Sequence, residues 1–336
     1  MKTQDLDRFF IESRLEEMRK GNAYYAGQND ILERERTIII RKNKYNLKHL
    51  SNNRITHPFL RKLVDQKVGY LLSLPFSAKT DDETLGQKLG AFFDKAFYRQ
   101  LKAIGRDAVV CGVGWIAVYY DETGALKTRR LAPETVTTIP DSEDIDKAAG
   151  IVRRYYKEGL KVYELWTKNG VQIFHDEGGN LILDAQRAHF QIGENTFNWD
   201  KIPIIPFRYN PDARPLIALV KPMIDDYDAR VSDVSNLLAD TPNNVKIIKG
   251  HVEDPEEFVR NLATLNCLFV GEGGEVENLE SRVDVATHSA HLDRLRKDIF
   301  DAGSGVDTQE SAAGDLSGTA IRYRYSELDL DCKNMG

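Results

Sequence analysis

The chain has 336 residues, 41% of them apolar and 29% charged, with 46 Lys and Arg against 52 Asp and Glu for a net charge of −6. That is enough for one large core or a few smaller ones, and the acidic balance excludes a protein that grips nucleic acid by neutralising phosphates over its whole surface. The longest apolar run, Val68 to Phe76, is far short of the roughly 20 residues of a spanning helix, residues 1–20 are too charged for a signal peptide, and three scattered cysteines (Cys111, Cys267, Cys332) supply neither a disulfide framework nor a zinc site, which fits a reducing compartment.

Residues 3–20 set Leu6, Phe9, Phe10, Leu15 and Met18 among charges at the spacing of a surface helix. A second helix is predicted from about Pro58 to Leu74, with Leu60, Leu63, Val64, Val68 and Leu71 on one face, and a third from about Leu85 to Cys111. From Trp115 the period changes to two. Short alternating runs, broken by turns at Glu158-Gly159, Asn169-Gly170 and Gly178-Gly179, predict an antiparallel meander. After "KIPIIPFRYN" (201–210) the helical period returns. Leu216, Val220, Met223, Ile224, Tyr227, Val231, Val234 and Leu238 make one apolar stripe of a helix to about Ala239, started or kinked by Pro215 and Pro222, and its other face carries Asp225, Asp228, Ser232 and Ser235.

Beyond Thr241-Pro242 comes a small α/β insertion: a strand "NVKIIKG", a helix capped by Asp254 with Pro255 at its first position, and strands "CLFVG" and "EVENL" around the turn "EGG". Val285, His288, Leu292, Leu295 and Ile299 then mark another helix. It is followed by "GSGVDTQESAAGDLSG" (303–318), built almost wholly of small and acidic residues. Ser317 is placed to cap a last helix with Ile321, Tyr325, Leu328 and Cys332 on one face.

No phosphate-binding loop, zinc-protease helix or nucleophile elbow occurs in the sequence. "CGVGW" (111–115) follows a helix and opens a strand, the reverse of a dinucleotide site, so it reads as a turn. His288 and His291 lie three apart with Asp284 one turn earlier, but lack a convincing third and fourth ligand. Asp225, Asp226, Asp228 and Asp233 sit on one helix, whereas two-metal sites draw carboxylates from several elements. The expectation is no catalytic residue, no metal and no cofactor.

Five blocks in order, "NNRITHPFLRKLVDQKVGYLLSLPF" (52–76), "IPIIPFRYN" (202–210), "ALVKPMIDDYDARVSDVSN" (218–236), "LDRLRKDIF" (292–300) and "DLSGTAIRYRYSELDL" (315–330), resemble the portal proteins of tailed bacteriophages of the siphophage type. The resemblance implies an α+β portal fold: a mixed α/β wing over 1–210, a first stem helix over 211–240, a small α/β clip over 241–283, a second stem helix over 284–302, a tunnel loop over 303–316, and over 317–336 the start of a helix toward a crown. The chain stops inside that helix, so a shortened form without the crown is expected. Implied too are a homo-oligomeric ring, commonly dodecameric, at one capsid vertex of the virion, double-stranded DNA passing without sequence specificity, and docking of the terminase large subunit and then a head-completion adaptor. Major capsid and scaffolding proteins are further implied partners, with assembly in the host cytoplasm and no membrane.

On this reading the stem packs through Val231, Val234, Leu292, Leu295 and Ile299, while Asp225, Asp228, Ser232 and Ser235 face the channel. The loop residues Asp307, Thr308, Gln309, Glu310, Ser311 and Asp315 touch the moving DNA, and Glu256, Glu257 and Arg260 of the clip meet the docking partners. Residues 216–240 hold five Asp against one Lys and one Arg, net −3, as suits a wall that must not hold phosphates. The alternatives are a metal-dependent phage nuclease built on Asp225, Asp228 and His288, and a structural scaffold without a channel.

Overall fold

The computed structural model describes residues 1–40, 43–46, 50–75, 78–144, 147–240, 245–249, 275–279, 285–309 and 325–335, with side chains described outside 38–45, 245–249, 275–279 and 285. The chain divides into two units, one of residues 1–26, 58–220 and 300–336, the other of residues 27–57 and 221–299. Residues 1–210, expected as a single wing, are thus not one compact unit, because residues 27–57 fold with residues 221–299.

In the first unit the helix expected over 3–20 is two helices, α1 (Thr3–Asp7) and α2 (Glu12–Tyr25). The break follows from Asp7. Its carboxylate accepts hydrogen bonds from Arg154 (2.9 Å), Lys161 (2.8 Å) and Tyr163 (2.9 Å), which pins the end of α1 to the sheet before the chain turns. Helix α3 (Phe59–Leu72) appears as predicted and buries Phe59, Leu60, Leu63 and Val64. The helix expected over 85–111 is also split, into α4 (Glu83–Phe92) and α5 (Lys95–Cys111). Asp94 restarts it as an N-cap, accepting from the Phe97 amide at 2.8 Å. Helix α5 ends at Gly112, whose φ of +85° suits glycine and whose added Cβ would lie 2.1 Å from the Ala213 carbonyl oxygen.

The β-rich middle is three sheets, not one meander. Strands β5 (Val136–Pro140), β6 (Ala148–Lys157), β7 (Leu160–Thr167), β8 (Gly170–Glu177) and β9 (Asn180–Arg187) form an antiparallel meander in chain order. The two preceding strands, β3 (Val113–Tyr120) and β4 (Leu126–Leu131), pair in a second sheet with β12 (Ile204–Arg208) from the "IPIIPFRYN" block, in the order β12-β3-β4. Pro206 is tolerated there because β12 is an edge strand. A short hairpin of β10 (Phe190–Ile192) and β11 (Asn195–Phe197) packs Phe190 against Trp199 and Tyr120.

The last described helix, α8 (Ser326–Lys333), belongs to this unit and buries Leu328 and Cys332. Cys111 and Cys332 are buried free thiols, and burial pushes them up to about 12 and about 11.

The second unit contains a hairpin of β1 (Thr37–Ile40) and β2 (Asn43–Asn46), residues 221–240 of helix α6 (Ile217–Asp240), the antiparallel pair β13 (Val245–Lys249) and β14 (Glu275–Leu279), and most of α7 (Val285–Ala302). The strands predicted at "NVKIIKG" and "EVENL" exist and pair with each other. Among the described residues, no helix is long and apolar enough to cross a membrane.

Candidate stem and loop elements

Helix α6 has the period its sequence predicts, but from Asp228 onward it buries the opposite face. The fully or nearly buried positions of residues 221–240 are Ile224 and then Asp228, Ser232 and Asn236, a polar row at a spacing of four. Against this row runs the extended segment 51–57. The Asp228 carboxylate accepts from the His57 amide at 3.0 Å, the Ser232 hydroxyl from the Ile55 amide at 3.0 Å, the Asn236 side-chain oxygen from the Asn53 amide at 2.5 Å, and the Asp240 carboxylate from the Ser51 amide at 2.9 Å.

The two periods match. Two residues of extended chain advance by about 6.6 Å, and four residues of α-helix by about 6.0 Å, so every second amide meets every fourth helical side chain. An extended segment with no sheet partner has amides to satisfy, and the helix supplies the acceptors.

Further contacts fasten this strap. Asp228 is 2.7 Å from His57 Nδ1 and accepts from the Asn29 amide group at 2.6 Å; Ser235 accepts from Asn53 Nδ2 at 3.0 Å; Arg34 pairs with Asp233 at 2.5 Å, and Arg36 pairs with Asp240. Burial opposes ionisation of Asp240, yet the Ser51 amide and hydroxyl and the Arg36 guanidinium outweigh it and hold the carboxyl below its usual range.

These contacts correct the channel-face assignment. Asp228 and Ser232 are fully buried on the strap and Ser235 is bonded to it, while Asp225 pairs with Lys221 at 2.6 Å. Nor is the net −3 of residues 216–240 a free charge, since Arg34 and Arg36 lie against two of those aspartates. The nuclease alternative loses Asp228 for the same reason. Among the described residues, no group of three or more His, Cys, Asp and Glu side chains is placed to hold a metal ion.

Of the apolar stripe predicted for α6, Leu216, Val220 and Ile224 are fully buried, and the C-terminal half is what remains outside. Val231 and Val234 are half-buried, and Leu238 is 65% exposed. On α7, Leu292 and Leu295 are half-buried, whereas Ile299 is fully buried within the chain and so is corrected from a packing position between subunits to a core residue. His288 is half-buried; His291 lies 3.3 Å from Asp226 of α6, which also pairs with Arg230 at 3.0 Å.

The start of the loop is anchored. Gln66 of α3 donates to the Val306 carbonyl at 2.7 Å and accepts from its amide at 3.0 Å, copying a strand partner. Lys67, fully buried, reaches Asp331 of α8 at 2.5 Å and the Ser304 carbonyl at 3.4 Å, and Asp331 also accepts from the Tyr209 hydroxyl at 3.0 Å. Burial, with Asp331 adding to it, pushes the Tyr209 phenol well above its ordinary value. Gly305 therefore serves close packing and not flexing: a Cβ there would sit 2.2 Å from Leu63 Cδ2.

Asp307 is half-exposed and accepts from the Gln309 amide at 3.0 Å, while Thr308 and Gln309 are exposed, Thr308 within 3.4 Å of Lys62. Glu310, Ser311 and Asp315 of the loop, Glu256, Glu257 and Arg260 of the clip, and Ser317 and Ile321 lie outside the described residues. The strap was missed in the sequence because its anchors, Asn29, Ser51, Asn53 and His57, are ordinary polar residues; the one available signal was the spacing of four among Asp228, Ser232, Asn236 and Asp240.

A family profile described as phage portal protein, SPP1 Gp6-like, matches residues 11–335. The chain is 26% identical over 344 residues to the portal protein of Bacillus phage SPP1, covering 98% of this chain and 68% of that one. It is 24% identical over 343 residues to the portal protein of Clostridium phage phiCD119, covering 95% and 75%. Similar solved structures include the neck of a native GTA particle computed with C12 symmetry, at a TM-score of 0.40 and 14% identity over 80% of this chain and 71% of that one. Another is an HK97-family phage portal protein from Corynebacterium diphtheriae, at 0.39 and 12% over 82% and 85%. Since the profile match runs through the strap, both long helices, the segment between them and the last helix, the chain belongs to the SPP1 Gp6-like family of phage portal proteins.

Proposed function

We propose that this portal-family subunit assembles into a closed ring, commonly dodecameric in portals, at one capsid vertex, and that double-stranded DNA is packaged and ejected through its centre. The observation that carries the reading is the uncovered C-terminal half of the apolar stripe of α6. The helix has spent its polar face on its own strap and leaves Val231, Val234 and Leu238 for another copy to cover. An asymmetric pair of such surfaces, repeated head to tail, closes into a ring.

Leu292 and Leu295 of α7 extend the same packing surface. The clip, 241–283, is the docking surface for the terminase large subunit and then the head-completion adaptor, through Glu256, Glu257 and Arg260; capsid and scaffolding proteins meet the ring during assembly in the host cytoplasm. Contact with the moving DNA falls to the loop 303–316, through Asp307 to Ser311 and Asp315, whose small and acidic side chains touch phosphates without binding them.

Negative-stain imaging and native mass spectrometry test the ring. Val231→Asp and Leu295→Asp should each leave a folded chain and strongly reduce rings. Rings as abundant as those of the parent in both variants would show that these stripes do not join subunits.

A further inference from the structure

Helix α5 presents a basic face that nothing among the described residues uses. Lys95, Arg99 and Lys102 follow one another at spacings of four and three, so they share one side of the helix. All three are exposed, and among the described residues none makes an ion pair or a side-chain hydrogen bond. Together with Tyr98, with Leu72 at the end of α3 and with Ser73 and Pro75 just beyond it, they line a groove of about 580 Å³ with no carboxylate among the described residues of its wall.

The neighbouring charges do not neutralise it. Asp94, beside Lys95, is turned into the helix as the N-cap of Phe97; Asp107, one turn beyond the face, is taken by Arg130 at 2.7 Å; and Arg106 adds a further positive charge stacked on Tyr25. Helix stability does not explain the pattern either. A cation at the first position of a helix faces the positive end of the helix dipole, and that is where Lys95 stands.

We infer that this groove binds the phosphate backbone of a nucleic acid, independently of sequence and apart from the channel. Three cations over the seven helical steps from Lys95 to Lys102 span about 10.5 Å, and phosphates of one DNA strand recur about every 3.4 Å along the duplex axis, so the face covers about three of them. Tyr98, set between the cations, gives the groove an aromatic wall, as in surfaces that follow a nucleic-acid backbone. In a chain of net charge −6 such a patch is local.

The test is fluorescence anisotropy of a labelled 30-base-pair duplex of random sequence with the full chain, from about 50 to 200 mM salt. The triple variant K95Q/R99Q/K102Q should lower the slope of log K against log salt by about 2.7, at about 0.9 per phosphate contact, with at least a tenfold loss of affinity at the low-salt end. The charge-keeping variant K95R/R99K/K102R should retain both, and K127Q/K157Q, at exposed lysines elsewhere, should change affinity less than twofold. An unchanged slope in the first variant, or an equal loss in the charge-keeping one, overturns the inference. Ring formation, scored on the same samples, should be the same in all of them, which separates this site from the subunit interface.

Discussion

At the scale of single residues, the decisive side chains are buried polar ones. Asp228 serves the His57 amide and ring and the Asn29 side chain at once, so Asp228→Ala takes the acceptor from several buried or part-buried groups. At about 1–3 kcal/mol for each group left unmade, the second unit should lose on the order of 3 kcal/mol, read as faster hydrogen exchange at the amides of residues 51–57 and an earlier urea transition. Ser232→Ala removes one acceptor and should cost about 1 kcal/mol; exchange at Ile55 unchanged in both variants would contradict the strap. The acid limb follows from Asp240 and Asp7. Burial raises the Asp7 carboxyl, but Lys161, Tyr163 and Arg154 outweigh burial and leave it lowered from 3.8, as Asp240 is. A depressed carboxyl stabilises the fold above its unfolded value and loses that contribution as pH falls through its folded value. Stability should therefore hold down to about pH 4 and fall below it, with Asp7→Asn and Asp240→Asn flattening the fall.

At the scale of elements, chain breaks and close approaches decide the path. The long helix read over 85–111 breaks where Asp94 caps and the rings of Phe92, Phe93 and Phe97 gather with centroids 5.0–5.4 Å apart. Gly112 ends α5 with a positive φ against the Ala213 carbonyl, and Gly305 brings the loop onto Leu63. Gly112→Ala meets both the left-handed backbone and a backbone oxygen, so it should destabilise the first unit by more than the roughly 1 kcal/mol of an unfavourable φ alone. Gly305→Ala meets the end of a fully buried leucine and should cost about 1–3 kcal/mol as overpacking. Thermal melts of the two variants check the order.

At the scale of the whole molecule, the portal reading turns on moving parts and neighbours. Because Gln66 and Lys67 hold residues 304–306, the portion of the loop proposed to touch DNA begins at Asp307, beyond that anchor. Replacing Asp307, Glu310 and Asp315 together by lysine should slow or stall DNA packaging in a reconstituted system, most at low salt, while ring assembly persists. Wild-type rates at every salt concentration would remove this loop from the path of the DNA.

The sequence by itself determined the kind and order of most elements, because periods of two and of three to four are local properties, and the five ordered blocks sufficed to indicate the family. It also showed that α6 has two unlike faces. It did not show which face meets protein. The rule that apolar residues go inside selects the stripe through Val231 and Val234, yet the structure buries Asp228, Ser232 and Asn236. The reason lies in partners 171 to 189 residues away along the chain: the amides of Ser51, Asn53, Ile55 and His57 need acceptors, and only the folded chain brings that row to them. The same holds for Lys67, which reads as a surface lysine at the edge of an apolar helix face, and becomes a buried cation only because Asp331, 264 residues later, comes back to meet it.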